Sequence, residues 1–96
     1  MEYQLRIYDI TPGALDEFSD LMAEVFRLRR EMGFEVAGAW IDRQANRYVW
    51  IVGYDGDLEA ATAAYAASPE RAGMQPDPGA SIEHIETSML VRAPHG

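Results

Sequence analysis

Four polar side chains near the two ends of the 96-residue chain could together transfer protons. Arg6 and Tyr8 alternate in one extended segment, and His84 and Glu86 alternate in another. A guanidinium pairs with anionic or carbonyl oxygens, and an imidazole exchanges a proton near neutral pH. These four are therefore the candidate catalytic residues, with Arg6 stabilising an enolate-like oxyanion and His84 or a tyrosine moving the proton.

A second set of side chains is aromatic and offers contact area for a planar organic molecule. The candidate ligand-binding residues are Trp40, Tyr48, Trp50 and Tyr54. The alternative is that these rings are ordinary packing residues of a core or an interface. Under that alternative Arg6 pairs with Glu86 or with a carboxylate of a second copy, and His84 is a hydrogen-bonding residue.

Alternation and helical periodicity predict six elements that position these residues. Strands are predicted over residues 2–10, 34–42, 48–54 and 81–92, and helices over residues 14–32 and 58–67. Gly33 is placed to end the first helix and Asp57 to begin the second. Arg27, Arg29 and Arg30 fall in the last turns of the first helix, where cations offset the helix dipole. Residues 68–80 are predicted to be a loop and residues 93–96 a frayed tail.

The order of elements is strand, helix, strand, strand, helix, strand, which predicts one α+β domain of the ferredoxin-like βαββαβ class over residues 1–96. Its four-stranded antiparallel sheet carries both helices on one face. The first strand is expected between the third and fourth, so that Arg6 and Tyr8 lie between Trp50 on one side and His84 and Glu86 on the other. The uncovered face predicts a homodimer that joins sheet to sheet.

The residue inventory argues against several other chemistries. The chain has no cysteine and only two histidines, His84 and His95, so we expect no metal site and no cofactor. Haem would need an axial donor, and neither predicted helix contains one. Ser88, His84 and Glu86 alternate along one strand, where side chains ~6–7 Å apart point in parallel instead of converging as a triad.

Acidic residues outnumber basic residues by 16 to 8, which gives a net charge of −8. Such a surface predicts neither nucleic acid nor an anionic membrane as a partner. No apolar run approaches the ~20 residues that span a bilayer, and no leader pattern opens the sequence. We therefore expect a cytoplasmic protein.

Several short motifs together resemble a known family. They are Tyr3 to Tyr8, Thr11-Pro12-Gly13, Gly38-Ala39-Trp40, Asn46, Tyr54-Asp55 and Ala67-Ser68-Pro69-Glu70-Arg71. In order and spacing they resemble the NIPSNAP domain from Tyr3 to Arg92. The resemblance implies a dimeric α/β barrel of ferredoxin-like subunits, and it leaves the biochemical role open because that of the family is mostly unsettled. The barrel is similar to those of antibiotic-biosynthesis and haem-degrading monooxygenases, by fold only.

Three functions follow as hypotheses. The first is a dimer that binds a small apolar or aromatic molecule. The second is a cofactor-independent enzyme, a monooxygenase, isomerase or cyclase, acting on an aromatic or polyketide-like substrate. The third is a protein-interaction module that uses the acidic outer faces of the helices.

Overall fold

The computed structural model describes all 96 residues and contains the predicted strands and helices. The elements are β1 (Glu2–Ile10), α1 (Leu15–Glu31), β2 (Phe34–Asp42), β3 (Arg47–Tyr54), α2 (Leu58–Ala67), α3 (Pro69–Ala72), a 3₁₀ helix (Pro78–Ser81) and β4 (Ile82–Leu90). The sheet order is β2-β3-β1-β4 with all pairs antiparallel, so the predicted βαββαβ plan and the position of β1 are confirmed. None of the helices has both the length and the apolar character that crossing a bilayer requires.

The segment between α2 and β4 is more regular than the predicted loop. The Ser68 side chain accepts a hydrogen bond from the Arg71 amide and begins α3. The Asp77 carboxylate accepts one from the Gly79 amide at 2.9 Å and begins the 3₁₀ helix. A proline occupies the first turn of each helix, where its missing N–H costs nothing. Two of the prolines in the predicted loop, Pro69 and Pro78, therefore start short helices.

Helix α1 forms because its apolar residues recur every three or four positions and face the sheet. Phe18, Met22 and Leu28 are buried along this stripe. Asp16 and Glu17 lie in the first turn, where the helix dipole favours negative charge. The helix is followed by Gly33, whose φ of +93° is the conformation predicted for its cap.

Helix α2 is held at its start by two carboxylates. Asp57 accepts a hydrogen bond from the Ala60 amide at 3.1 Å, as predicted for its cap, and Glu2 of β1 accepts one from the Leu58 amide at 2.8 Å. Leu58 and Tyr65 are the buried residues of this helix. The Glu2 contact ties α2 to the beginning of the first strand.

The two faces of the sheet have different surroundings. Residues directly opposite one another on antiparallel strands share a face. Arg6 is paired with Trp50 and Tyr8 with Tyr48, and burial places this face under the helices. Leu5 is paired with Ile51 and Ile7 with Val49 on the opposite face, which no helix covers. We call this second surface the outer face.

The candidate site residues were predicted to lie on one face of the sheet, and the structure corrects this prediction. The reasons are a bulge in β2 and the register of β4. The register of β2 shifts between Val36 and Gly38, so Trp40 pairs with Val49 on the outer face. Along β4, His84 pairs with Asp9 and Glu86 with Ile7, which places both on the outer face as well. Trp40, His84 and Glu86 are therefore on the opposite side of the sheet from Arg6, Tyr8, Tyr48, Trp50 and Tyr54.

Candidate functional site

A cavity of about 670 Å³ lies between the helices and the β1–β4 part of the sheet. It forms because α1 packs mainly against β2 and β3, which leaves β4 at the edge with little helical cover. The lining residues are Arg6 and Tyr8 from β1; Phe18, Met22, Val25 and Arg29 from α1; Thr62, Tyr65 and Ala66 from α2; Arg71 and Ala72 from α3; and Pro78, Gly79, Ile82, Glu83, His84 and Ile85.

Arg29 is the most unusual residue of this lining. Its side chain lies in the last turn of α1 and is only 3% exposed. The guanidinium carbon lies 4.0 Å from the ring centroid of Tyr65, 4.7 Å from that of Phe34 and 5.3 Å from that of Trp50. Nε and Nη1 are buried without a hydrogen-bond partner. Burial, with Arg6 nearby, lowers the pKa of Arg29 to about 10.

Arg27, Arg29 and Arg30 were expected to offset the helix dipole at the end of α1, and Arg29 and Arg30 lie in its last turn. Their surroundings differ. Arg27 pairs with Glu24 at 2.9 Å and with Glu31 at 2.7 Å on the helix surface. Arg30 is exposed. Arg29 falls four and seven positions after the buried residues Val25 and Met22 of the apolar stripe and therefore points at the sheet.

Arg6 is the second cationic group of the cavity and is held by neutral partners. Its Nε donates to the Tyr8 hydroxyl at 2.8 Å, and its Nη1 donates to Gln4 Oε1 at 3.0 Å. Its guanidinium carbon lies 5.8 Å from the Trp50 ring centroid, so the predicted proximity of Arg6 and Trp50 is confirmed. No carboxylate forms an ion pair with Arg6 or Arg29, since the five ion pairs use other arginines.

Two phenols add hydrogen-bonding groups to the same space. The Tyr8 hydroxyl accepts from Arg6, so its own proton is free for another acceptor. The Tyr65 hydroxyl is buried without a hydrogen-bond partner, and burial raises the pKa of Tyr65. Both phenols can therefore act as hydrogen-bond donors to an oxygen atom placed beside the arginines.

Arg71, which lines the cavity from α3, forms an ion pair with a carboxylate of the following loop. Arg71 Nη1 lies 3.0 Å from Asp77 Oδ1. The Gly79 amide and the Arg71 guanidinium hold the pKa of Asp77 below its usual value. Glu83 is the one carboxylate among the lining residues.

The structure brings only part of the predicted site together. Arg6 and Tyr8 line the cavity, while Tyr48 and Trp50 lie beneath it in the core. Tyr54 is half-buried against Phe34, with ring centroids 5.1 Å apart.

The remaining predicted residues are elsewhere on the sheet. Trp40 is 56% exposed, and Glu86 is exposed on the same outer face. His84 is also exposed, although it contributes to the rim of the cavity at the edge strand. The four candidate catalytic residues therefore do not form one cluster.

Sequence reasoning assigned no functional role to Arg29, Tyr65 or Arg71. The signal for Arg29 was its spacing on α1, since a charged residue in phase with an apolar stripe lies at a buried position. Nothing in the sequence placed Tyr65 beside Arg29. No group of three or more His, Asp or Glu side chains is arranged to hold a metal ion.

Comparison with known proteins relates this fold to solved structures. The sequence matches no family model and none of the curated proteins. An uncharacterised NIPSNAP domain protein from Burkholderia xenovorans is 26% identical, and the match covers 100% of this chain and 98% of that one with a TM-score of 0.84. A NIPSNAP family protein of unknown function from Agrobacterium tumefaciens is 21% identical, and the match covers 100% of this chain and 91% of that one with a TM-score of 0.87.

A second class of structure is similar at a lower level. An antibiotic biosynthesis monooxygenase is 17% identical, and the match covers 98% of this chain and all of that one with a TM-score of 0.70. At this identity the likeness concerns the fold alone. The higher TM-scores belong to the NIPSNAP proteins, over the whole chain and in the order of elements described above. The chain therefore has the ferredoxin-like α+β fold of NIPSNAP family proteins, as its sequence motifs predicted.

Proposed function

We propose that this protein binds a small organic molecule with an apolar or aromatic body in the cavity between its helices and sheet. The observation that carries the proposal is the cavity of about 670 Å³. Binding sites for small organic ligands commonly measure ~300–1,000 Å³ and combine apolar walls with a few converging polar groups. This cavity has both features.

The walls of the cavity divide the proposed binding site into two parts. Phe18, Met22 and Val25 of α1 form an apolar wall, and Ile85 of β4 faces the same space. The polar groups come from the arginines and tyrosines described above. A ligand with an apolar body and one polar end would match this division.

A fluorescent probe tests the proposal. Ala66 lines the cavity at an exposed position of α2, whereas Ala63 is exposed and does not line it. We expect phenylnaphthylamine or anilinonaphthalene sulfonate to bind saturably to the wild type and to Ala63→Trp. Ala66→Trp should weaken binding because the indole fills the cavity. Absence of saturable binding by both dyes, or equal binding by both variants, would contradict the proposal.

A cofactor-independent enzyme is the second candidate function. The observation in its favour is the Tyr8 hydroxyl, which is held in the cavity by Arg6 at 2.8 Å and can deliver its proton to a substrate oxygen. The similarity to a monooxygenase fold adds an analogy only. We would measure the enol-to-keto conversion of an aromatic β-diketone by absorbance. Loss of turnover in Tyr8→Phe and Arg6→Gln supports the enzyme, and unchanged turnover in both, as well as in His84→Ala, excludes it.

We also propose that a second copy of the chain covers the outer face. Trp40 is 56% exposed there, and the apolar strip of Leu5, Ile7 and Val49 is only half-buried. Asp9 and Arg47 form an ion pair of 2.7 Å on the same face. A two-fold dimer uses the same surface of both copies, so each copy would present a positive and a negative group to the other.

The third hypothesis, a protein-interaction module, uses the acidic outer faces of the helices. It gains weight if neither dye binds, because a cavity is not needed for that role. The cytoplasmic location stays a prediction, which imaging of the tagged protein in cells would test.

A further inference from the structure

We propose that the ligand of the cavity carries a carboxylate and that Arg29 and Arg6 hold this group. The inference rests on the proposed function and adds the chemical class of the ligand. It begins from the two arginines, because they are the cationic lining residues without an acidic partner.

Arg29 is a buried charge that no carboxylate of the protein neutralises. A guanidinium that is 3% exposed has lost most of its water, and Nε and Nη1 gain no hydrogen bond from the protein in exchange. Buried charges are normally paired, because an unpaired one is costly. The aromatic rings around Arg29 supply cation–π contacts, and the nearby Tyr65 hydroxyl favours its charged form, but no carboxylate lies within ion-pair distance. Arg29 lines the cavity, so an anionic group of a ligand bound there would offset its charge.

The charge distribution of the chain supports the same conclusion. Acidic residues outnumber basic residues two to one over the whole sequence, yet the cavity is lined by Arg6, Arg29 and Arg71 against the single carboxylate of Glu83. Arg71 already forms an ion pair with Asp77. Positive charge is therefore concentrated at one place on an acidic protein, which favours a negatively charged ligand there.

The shape of the site favours a carboxylate over a phosphate. The planar Arg29 guanidinium lies against the rings of Tyr65 and Phe34. A carboxylate is planar and smaller than a phosphate, so it fits better beside this crowded group, and the Tyr65 hydroxyl can donate to it.

A matched series of ligands tests this assignment. Naphthalene carboxylate, naphthalene carboxamide and naphthyl phosphate share one apolar body and differ in the polar group. Calorimetry on the wild type should show the carboxylate binding at least about tenfold more tightly than the carboxamide, and more tightly than the phosphate. In Arg29→Met and Arg6→Met the preference for carboxylate over carboxamide should disappear. Arg30→Met, which removes the neighbouring exposed arginine of α1, should keep it.

The outcomes separate this inference from the proposed function. Equal affinity for carboxylate and carboxamide in the wild type overturns the carboxylate assignment but leaves the cavity as a binding site. Tightest binding of naphthyl phosphate overturns the class of anion. No binding of the three ligands or of either dye overturns the proposed function itself. Circular dichroism checks the fold of each variant, and Arg29→Gln, expected to lose the same preference, replaces Arg29→Met if that variant does not fold.

Discussion

Arg6 and Arg29 rest on the same indole ring. Their guanidinium carbons lie 5.8 Å and 5.3 Å from the ring centroid of Trp50, which is fully buried. The ring offers both cations a cation–π contact, yet neither has a carboxylate within ion-pair distance. The Trp50 ring therefore contacts both guanidinium groups. No carboxylate of the protein neutralises their charge, so a bound anion could do so.

Replacing Arg29 should stabilise the protein without ligand. The lowered pKa of Arg29 means that the folded state disfavours its proton relative to the unfolded state, so the charged form costs stability at every pH below about 10. Arg29→Met should raise the free energy of unfolding at neutral pH by about 1–2 kcal/mol, since the apolar side chain suits the buried position.

Urea denaturation measures this difference. Arg30→Met is the matched control, because Arg30 is exposed in the same turn of α1 and its replacement should change stability by less than about 0.5 kcal/mol. A loss of stability in Arg29→Met would show that the aromatic contacts outweigh the cost of burying the charge.

The pH dependence of stability at alkaline pH should depend on Tyr48. Burial raises the pKa of Tyr48 to about 12 from its usual 10.0, so the folded state keeps a proton that the unfolded state releases first. The free energy of unfolding therefore falls as pH rises from about 10 to about 12. Tyr48→Phe should show a shallower fall in that window, and a series of urea titrations across it measures the slope. Identical slopes in the two proteins would contradict the assignment to Tyr48.

Removing the cap of α2 should destabilise the protein moderately. The Asp57 carboxylate accepts from the Ala60 amide at 3.1 Å, and loss of such a cap costs about 0.5–2 kcal/mol. Thermal unfolding of Asp57→Ala should therefore show a lower midpoint than the wild type. Asp55→Ala removes an exposed acidic residue from the same turn that does not cap the helix, and its midpoint should stay near that of the wild type. Equal midpoints for the two variants would contradict this role of Asp57.

The proposed homodimer should depend on Trp40. Trp40 is exposed in one copy and would be buried between two copies in the dimer. A carboxylate at this position would therefore be buried without an opposite charge, which is costly. Sedimentation at micromolar concentration should show a dimer for the wild type and a monomer for Trp40→Glu. Ala64→Glu, on the exposed side of α2, should remain a dimer. A monomeric wild type would contradict the covered outer face.

The sequence by itself determined the four strands and the two longer helices of this protein and their order. The apolar stripe of α1, the Gly33 cap and the alternation in β1 and β3 are local signals, because each depends on residues close together in the chain. The sequence also indicated that Arg6 and Tyr8 lie beside Trp50, since residues of the same parity on neighbouring strands share a face.

Only the tertiary structure decided which side chains meet. One extra residue in β2 turns Trp40 to the outer face, and the pairing of β4 with β1 does the same for His84 and Glu86. Strand register is a non-local property that a periodic pattern does not specify, because a shift of one residue reverses every side chain. The burial of Arg29 likewise depends on how α1 lies over β2 and β3, and that packing leaves the cavity open beside β4.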